Sequence, residues 1–331
     1  MKAAILTGIK QIEFMDTTMP KLVHGEVVIN VKSCGICGTD KHIYHGEPGS
    51  AAVIPPRILG HELAGEVVEI GTGVTTLKKG DRVTIDPNIY CGTCHYCRNN
   101  RVNLCENMQA IGVTRDGGMG EYCVAPAANC YVIPDSITFE EAALVEPLGC
   151  VLHGFKKVEL STLSRVLIIG GGFIGQLFLQ LVKGQNVASV VVSEPSESKK
   201  DLLYQLGADE VINPLDNHPV EADVVIECVG KKESMEAAFR SAAKGGQVLL
   251  FGVASPETAI SVFPYEIFSK ELTIKGSFVN PYTHEEAIAL IANRVIDVQS
   301  LISHQISLEE LPSVMADYPS LSVSKAIVVN K

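Results

Sequence analysis

The sequence predicts an α/β protein in which an antiparallel β-domain precedes a doubly wound parallel sheet. The first 150 residues are rich in Gly and Pro and contain short alternating apolar runs, such as 27–31 and 64–70, each closed by a turn signal. From about Ser164, short apolar segments recur, each followed by a helical stretch or a glycine turn. A length of 331 residues is enough for about two domains.

The second half contains segments predicted as buried parallel strands, because their apolar character is nearly continuous. They are Arg165–Ile169, Ser189–Ser193, Glu210–Ile212, Asp223–Glu227, Gln247–Phe251 and Leu272–Lys275. A helix is expected over His284–Asn293. A last strand, Lys325–Val329, has no place in a sheet already complete, so the tail is expected to return to the first domain. The expected domains are therefore 1–149 with the return segment 283–331, and 150–282.

Composition and charge exclude several classes of protein. Hydrophobic residues make up 46% of the chain and charged residues 20%, which is typical of a globular enzyme. The 27 Lys and Arg against 38 Asp and Glu give a net charge of −11, so nucleic acid is not an expected partner. No segment approaches the about 18 apolar residues of a membrane span, and the N-terminus lacks the apolar core of a signal peptide. With ten Cys and no export signal, we expect a cytoplasmic protein without membrane contact.

Four cysteines lie close together in the chain, at positions Cys91, Cys94, Cys97 and Cys105. Four thiolates at such spacing can close a tetrahedral shell around Zn²⁺ with no open position, which predicts a structural site. An iron–sulfur cluster is the alternative, because Cys-x2-Cys-x2-Cys also opens the ferredoxin pattern. The fourth Cys of that pattern comes sooner and precedes Pro, whereas here it precedes Glu106, so zinc is favoured.

A second set of metal-type residues is dispersed along the chain: Cys37, His61, Glu62 and Glu146. Each alone is a weak signal, because a lone His or Glu is usually solvated or hydrogen bonded. Cys34 and Cys37 could also form a redox Cys-x-x-Cys pair, but no thioredoxin-like βα unit surrounds them. Their positions in the sequence alone give no reason to assign them to one metal site.

A glycine-rich turn follows the first predicted parallel strand and opens a helix. Gly170 permits the tight turn, Gly172 lets the backbone approach a pyrophosphate, and Gly175 allows close packing of helix on strand. Glu194 ends the next strand, where a carboxylate can accept hydrogen bonds from both ribose hydroxyls of NAD but would repel the 2′-phosphate of NADP. We therefore predict NAD as the cofactor; the alternative is NADP, with its phosphate held by Ser196, Ser198 and Lys199. The remaining predicted cofactor-binding positions are Phe173, Ile174 and Val253.

Taken together, these motifs resemble those of the zinc-dependent medium-chain alcohol and polyol dehydrogenases, including the sorbitol and threonine dehydrogenases. They occur in the family's order along the whole chain, as Cys37-Gly-Thr-Asp, Gly60-His-Glu, Gly65-x-Val67, the four cysteines, Glu146-Pro-Leu and the glycine turn. The resemblance implies a GroES-like β-domain, a Rossmann domain that binds NAD, and two zinc ions per subunit. It also implies a homodimer or homotetramer with a small-molecule alcohol or ketone as substrate.

The resemblance implies a role for each dispersed residue. Cys37 and His61 would be ligands of a catalytic zinc, with Glu146 or Glu62 and a water completing the shell. Glu62 would exchange with water during the reaction. Asp40 would orient a ligand from outside the shell.

Two further residues would move the proton released by the substrate. Thr39 would take it from the alcohol, and His42 would pass it toward solvent, since histidine titrates near neutrality. A plain surface position is the alternative for His42. The implied reaction is the reversible transfer of a hydride between a secondary alcohol and NAD, giving a ketone.

Two positions depart from the polyol members of the family. Those resembling sorbitol dehydrogenase usually carry an aromatic residue after the relay His and an Arg after the last Rossmann strand, whereas this chain has Ile43 and Val279. Hydrogen bonds to a hexitol would be lost, although Glu146 still indicates the polyol branch. A less hydroxylated secondary alcohol, a sugar-phosphate alcohol and an amino-acid alcohol such as threonine remain open. A non-catalytic zinc-binding protein on the same fold is the alternative of a different class.

Overall fold

The structure, a computed structural model, describes residues 1–49, 51–216, 219–318 and 323–330. The chain divides into two compact units, Met1–Gly149 with Asn280–Lys331, and Cys150–Val279. The first unit resumes at Asn280 rather than at residue 283, because the Asn280 side chain is hydrogen bonded to Asn88 and Glu146 of that unit. No helix of the described residues is long and apolar enough to cross a membrane.

The strands of the two units are numbered in chain order. They are β1 (Lys2–Gly8), β2 (Gln11–Asp16), β3 (Glu26–Gly35), β4 (Arg57–Ile58), β5 (Glu62–Ile70), β6 (Arg82–Ile85), β7 (Asn88–Ile89), β8 (Gln109–Ala110), β9 (Tyr122–Pro126), β10 (Cys130–Val132), β11 (Arg165–Ile169), β12 (Ser189–Ser193), β13 (Glu210–Ile212), β14 (Ala222–Glu227), β15 (Ala242–Leu250), β16 (Thr273–Gly276), β17 (His304–Ile306) and β18 (Ala326–Val329).

The α-helices are numbered in the same way. They are α1 (Gly38–Tyr44), α2 (His95–Arg98), α3 (Phe139–Ala143), α4 (Val145–Phe155), α5 (Phe173–Lys183), α6 (Lys200–Gln205), α7 (Lys232–Ser241), α8 (Pro264–Lys270), α9 (His284–Ala292) and α10 (Leu311–Asp317).

The main sheet of the first unit has the order β10-β6-β5-β3-β18-β17, with β9 also paired to β3. Its pairings are antiparallel apart from β17 with β18, as the alternating apolar pattern of this half predicts. Strand β3 lies at its centre, and Val27, Ile29 and Val31 are fully buried there. The final strand β18 joins the sheet by pairing with β3, with Val328 opposite Cys34.

The second unit holds a parallel sheet of order β13-β12-β11-β14-β15-β16. The predicted α/β fold class is thereby confirmed, and each of the six predicted segments falls on one of these strands. Strand β15 begins earlier than expected because Ala242 already pairs with Ala222. The register then shifts beside Gly245, whose φ of 73° is the left-handed conformation that glycine tolerates.

Candidate metal and cofactor sites

The four-cysteine segment forms a compact cluster between β7 and β8. The Sγ atoms of Cys91, Cys94, Cys97 and Cys105 all lie within 4.8 Å of one another. Successive backbone N–H groups donate to them, from Cys94 to Cys91 Sγ at 3.4 Å and from Cys97 to Cys94 Sγ at 3.5 Å. Such bonds stabilise thiolates, and the Thr93 N–H is the main reason that the pKa of Cys91 is lowered to about 5. A set of four thiolates fits zinc in a closed tetrahedral shell.

A second cluster draws together residues that are far apart in the sequence. The Cys37 Sγ, a ring nitrogen of His61 and a carboxylate oxygen of Glu62 lie within 4.8 Å of one another. Cys37 caps α1 directly after β3, and Glu62 begins β5. Because β3 pairs with β5 and places Gly35 opposite Glu62, the two strand ends bring these side chains to one point. Gly35 is needed there, since a Cβ atom at this position would collide with the Glu62 carboxylate.

The charges around His61 favour a cation. Burial alone would lower the pKa of His61, but the carboxylate of Asp40 and the thiolate of Cys37 outweigh it and raise this pKa well above its usual value. Asp40 is fully buried; its Oδ2 accepts the Cys37 N–H at 2.8 Å, and its Oδ1 lies 3.6 Å from His61 Nδ1. The pKa of Asp40 is also raised, in this case by burial itself.

The donor atoms of this second cluster fit zinc. His61 Nδ1 and Asp40 Oδ1 are both buried and without a hydrogen-bond partner among the described residues. A thiolate, an imidazole and a carboxylate are the mixed ligands of catalytic zinc sites, which keep one position open for water or substrate. The residues present are therefore those that a reactive zinc site requires.

Glu62 has a second partner that the sequence did not indicate. Its carboxylate forms an ion pair with Lys325, and both side chains are almost completely buried. Lys325 also donates from Nζ to the Ile36 carbonyl at 3.1 Å. Burial would lower the pKa of Lys325, but the charges of Glu62 and Cys37 and the hydrogen bond to Glu62 together outweigh it, and the pKa is raised. The Glu62 carboxylate is thus shared between the metal-type cluster and a buried cation.

Glu146 lies beside the second cluster but is not one of its three members. It is on α4, is 6% exposed, and its Oε1 accepts a hydrogen bond from Asn280 Nδ2 at 2.7 Å. Its charge is among those that raise the pKa of His61, behind those of Asp40 and Cys37. The sequence singled out Glu146 but not Asn280.

The residues predicted to carry a proton are both on α1. Thr39 is half-buried, and His42 has a side chain 36% exposed. His42 Nδ1 lies 2.6 Å from Glu47 Oε2, which fixes the ring. Ile43 is different: it is 3% exposed and packs in the core of the first unit. The substrate interpretation placed on Ile43 is therefore weakened, because a core side chain cannot report a lost hydrogen bond to a polyol.

The glycine turn has the conformation that its residues predict. Gly170 has a φ of 102°, Gly172 caps α5, and a Cβ atom on Gly175 would collide with the Gly170 carbonyl. Buried Glu194 reaches this turn, since its Oε2 accepts the Gly171 N–H at 3.0 Å.

The other predicted cofactor positions are more varied. Phe173 is 8% exposed, Ile174 is half-buried, and Val253, which follows β15, is 71% exposed. Lys199 Nζ lies 3.2 Å from Glu194 Oε2, so this cation pairs with the Glu194 carboxylate. Glu194 is thus the predicted cofactor residue with the most defined surroundings.

Comparisons with known proteins identify the family of both domains. Residues 23–135 match the alcohol dehydrogenase GroES-like domain, and residues 174–293 match the zinc-binding dehydrogenase domain. Sorbitol dehydrogenase of Bacillus subtilis (strain 168) is 31% identical over 327 residues, covering 95% of this chain and 92% of that protein. L-threonine 3-dehydrogenase of Thermococcus kodakarensis is 37% identical over 275 residues, covering 80% of this chain and 78% of that protein.

A solved structure is similar over the same length. A zinc-binding dehydrogenase of Sinorhizobium meliloti 1021, bound to NADP, is 36% identical with a TM-score of 0.94, and 99% of each chain is covered. Both domain matches, the long alignments and the two metal-type clusters agree. The chain therefore belongs to the zinc-dependent medium-chain alcohol and polyol dehydrogenases, oxidoreductases that act on CH–OH groups.

Proposed function

We propose that this chain is an NAD-dependent zinc dehydrogenase that reversibly oxidises a secondary alcohol to a ketone. The observation that carries the proposal is the cluster of half-buried Cys37 with buried His61 and Glu62, which supplies mixed zinc ligands in a chain of this family. Zinc bound there would polarise the substrate oxygen and ease loss of the alcohol proton. The four cysteines would hold a second, structural zinc.

The protein's own residues would hold and move the proton. Thr39 would accept it from the substrate hydroxyl while giving up its own hydroxyl proton, and His42, partly exposed and oriented by Glu47, would release a proton to solvent. Asp40 orients the cluster from beneath, since it bonds the Cys37 backbone and lies against His61. Glu62 and Glu146 supply the negative charge that a divalent cation requires.

The choice of NAD over NADP rests on Glu194 and its neighbours. A pocket beside Glu194 is also lined by Glu197, Glu210 and Asp216, with Lys200 as its cation. A 2′-phosphate would meet these carboxylates with like charge, whereas ribose hydroxyls can donate to Glu194. The relative solved with NADP and the Lys199–Glu194 contact are the arguments against this choice.

For the substrate we propose a secondary alcohol with fewer hydroxyls than a hexitol. Support comes from Val279, which stands where the sorbitol-type relatives usually carry Arg. A polyol and threonine, named by the two curated relatives, and a sugar-phosphate alcohol are the alternatives.

The proposed partners are this small molecule and further copies of the chain, and the proposed location is the cytoplasm, where ten thiols stay reduced. Association of copies is supported by edge strand β16 and by exposed side chains on α8, where Tyr265 and Phe268 are 75% and 76% exposed. Light scattering of the wild type and of Phe268→Glu tests it: a wild-type monomer contradicts the proposal.

One experiment decides between an enzyme and a non-catalytic relative. Zinc is counted per chain, and NADH formation is followed with apolar secondary alcohols, polyols, sugar phosphates and threonine, each with NAD and with NADP. We expect two zinc ions and turnover with NAD. A single zinc with no turnover on any substrate would contradict the proposal, and preference for NADP, or a preference unchanged in Glu194→Ser, would remove Glu194 from its role.

A further inference from the structure

A buried chain of polar groups leads to Glu146 from a distant part of the sequence. Asn280 is fully buried, and its Nδ2 donates to Glu146 Oε1 at 2.7 Å and to the Glu146 carbonyl at 3.3 Å. Its Oδ1 accepts from Asn88 Nδ2 at 2.7 Å. Both ends of the Asn280 amide are therefore engaged, one by the carboxylate and one by a second amide.

The donor direction along this chain is fixed at its far end. Asp86 Oδ1 accepts from both the backbone N–H and the Nδ2 of Asn88, at 2.9 and 3.0 Å. Asn88 must therefore turn its NH₂ group toward Asp86 and Asn280, because a carboxylate offers only acceptors. Asn280 in turn must present its oxygen to Asn88 and its NH₂ group to Glu146. The order Asp86–Asn88–Asn280–Glu146 allows a single orientation of each amide.

The backbone around Asn280 is held in an unusual conformation. Val279 and Tyr282 have φ values of 49° and 57°, in the left-handed region that residues other than glycine rarely enter, and β-branched Val279 least of all. Strain of this kind persists only where surrounding contacts impose it, and it concentrates at functional sites. Close packing adds to it: a Cβ atom on Gly149 of α4 would lie 2.8 Å from Thr283 Oγ1.

We propose that Asn280 is a positioning residue for the candidate zinc site, acting through Glu146. By holding one carboxylate oxygen, it fixes the orientation of Glu146 beside the cluster of Cys37, His61 and Glu62, and thereby sets the affinity of that cluster for zinc. The inference rests on the proposed function, since it takes this cluster to be a zinc site. Groups that orient a metal site from outside the ligand shell typically change metal affinity by about 10–100-fold when removed.

The test replaces the NH₂ group that faces Glu146 with a carboxylate oxygen, which removes the bonds to Glu146 Oε1 and to the Glu146 carbonyl. In Asn280→Asp, one oxygen still accepts from Asn88, while the other meets Glu146 Oε1 where an N–H stood. Thr283→Val is the matched control, because it removes the bond from Thr283 Oγ1 to the Asn280 carbonyl, 3.0 Å long, and leaves the side-chain amide in place. Zinc affinity is measured on the purified full chain by competition with a chromophoric chelator, fitted to two sites.

We expect Asn280→Asp to weaken one site by roughly 10–100-fold and leave the other unchanged, with the control within about twofold of the wild type. In a Glu146→Ala background, Asn280→Asp should have no further effect, because its route to the metal is gone. If Asn280→Asp does not fold, Asn280→Ser is measured in its place. A loss of equal size in both backgrounds, or no loss at all, overturns the inference.

A separate variant distinguishes failure of the proposed function. Cys37→Ser should lose one zinc outright. If it keeps both at wild-type affinity, the cluster is not a zinc site and the proposed function fails with the inference. If it loses one while Asn280→Asp binds zinc as tightly as the wild type, the proposed function stands and only the inference is overturned.

Discussion

The two metal-type clusters of this chain are built in opposite ways. The four cysteines lie within one loop, and backbone N–H groups of that same loop donate to the Sγ atoms of Cys91, Cys94 and Cys105. The cluster of Cys37, His61 and Glu62 depends instead on pairing between β3 and β5, and its His61 and Glu62 side chains are buried. One site is a local property of the sequence, and the other is a property of the folded sheet.

This difference explains why the two clusters suit different tasks. A closed shell of local thiolates can bind a metal as soon as its loop forms, so its contribution is to stability. A buried mixed cluster with an open position is pre-formed by the sheet, so its metal is available for chemistry. Changes at the four-cysteine cluster should therefore affect stability, and changes at the cluster of Cys37, His61 and Glu62 should affect activity.

The largest effect is expected for Cys37→Ser. Removing this ligand should lower kcat by more than about 10³-fold, because the Lewis acid is lost, while the sheet that carries the site remains. Turnover, zinc per chain and a thermal melt are measured together. Wild-type turnover with one zinc missing would sink the assignment of this cluster.

Thr39→Ala tests the proton path at the same cluster. Positioned proton transfer typically contributes about 10²–10⁴ in rate, and we expect a loss of that size, with Thr39→Ser close to the wild type because its hydroxyl is kept. Steady-state kinetics on a single alcohol are sufficient. Equal rates for all three proteins would mean that the proton leaves by another route.

Cys94→Ser tests whether the four-cysteine cluster contributes to stability. We expect the melting temperature to fall by roughly 5 °C or more and proteolysis to begin within residues 91–105, because the loop loses its metal. Cys130→Ser, which changes a thiol outside both clusters, is the control. An unchanged melt would show that this loop is held by its own backbone.

The stability of the first unit should also depend on pH, through His284. Its Nε2 lies 3.0 Å from the Ile85 carbonyl, its ring stacks on Tyr131, and burial lowers its pKa to about 4. The unfolded chain then binds a proton below about pH 6.5, whereas the folded chain binds it only below about pH 4. The free energy of unfolding therefore decreases as the pH is lowered from about 6.5 to about 4.

The expected loss is about 2 kcal/mol in the free energy of unfolding between pH 7 and pH 5. Burial raises the pKa of Asp86 to about 6, which acts in the opposite direction, so the measured quantity is the difference between the wild type and His284→Gln. Urea unfolding at both values of pH gives this difference. A pH-independent difference would show that the ring titrates in the folded chain as it does in the unfolded chain, and would contradict the lowered pKa.

Local patterns made much of this molecule predictable. The parallel strands follow from apolar runs, and the four cysteines from their spacing. The dispersed cluster could be assembled only by resemblance, since no local pattern joins Cys37 to His61. Lys325 and Asn280 were missed because their significance depends on where β18 pairs and how residues 280–283 pack on α4. For the same reason, the sequence alone does not show that Ile43 packs in the core.

The buried pair of Lys325 and Glu62 has a consequence for the order of events during protein synthesis. Lys325 Nζ bonds the Ile36 carbonyl across 289 residues, and the whole second unit lies between them in the chain. A ribosome thus completes that unit before it makes the cation that neutralises Glu62. Until Lys325 is synthesised, the Glu62 carboxylate has no buried cation beside it and is costly to bury. We therefore expect the sheet of the first unit to form late, after the second unit has folded.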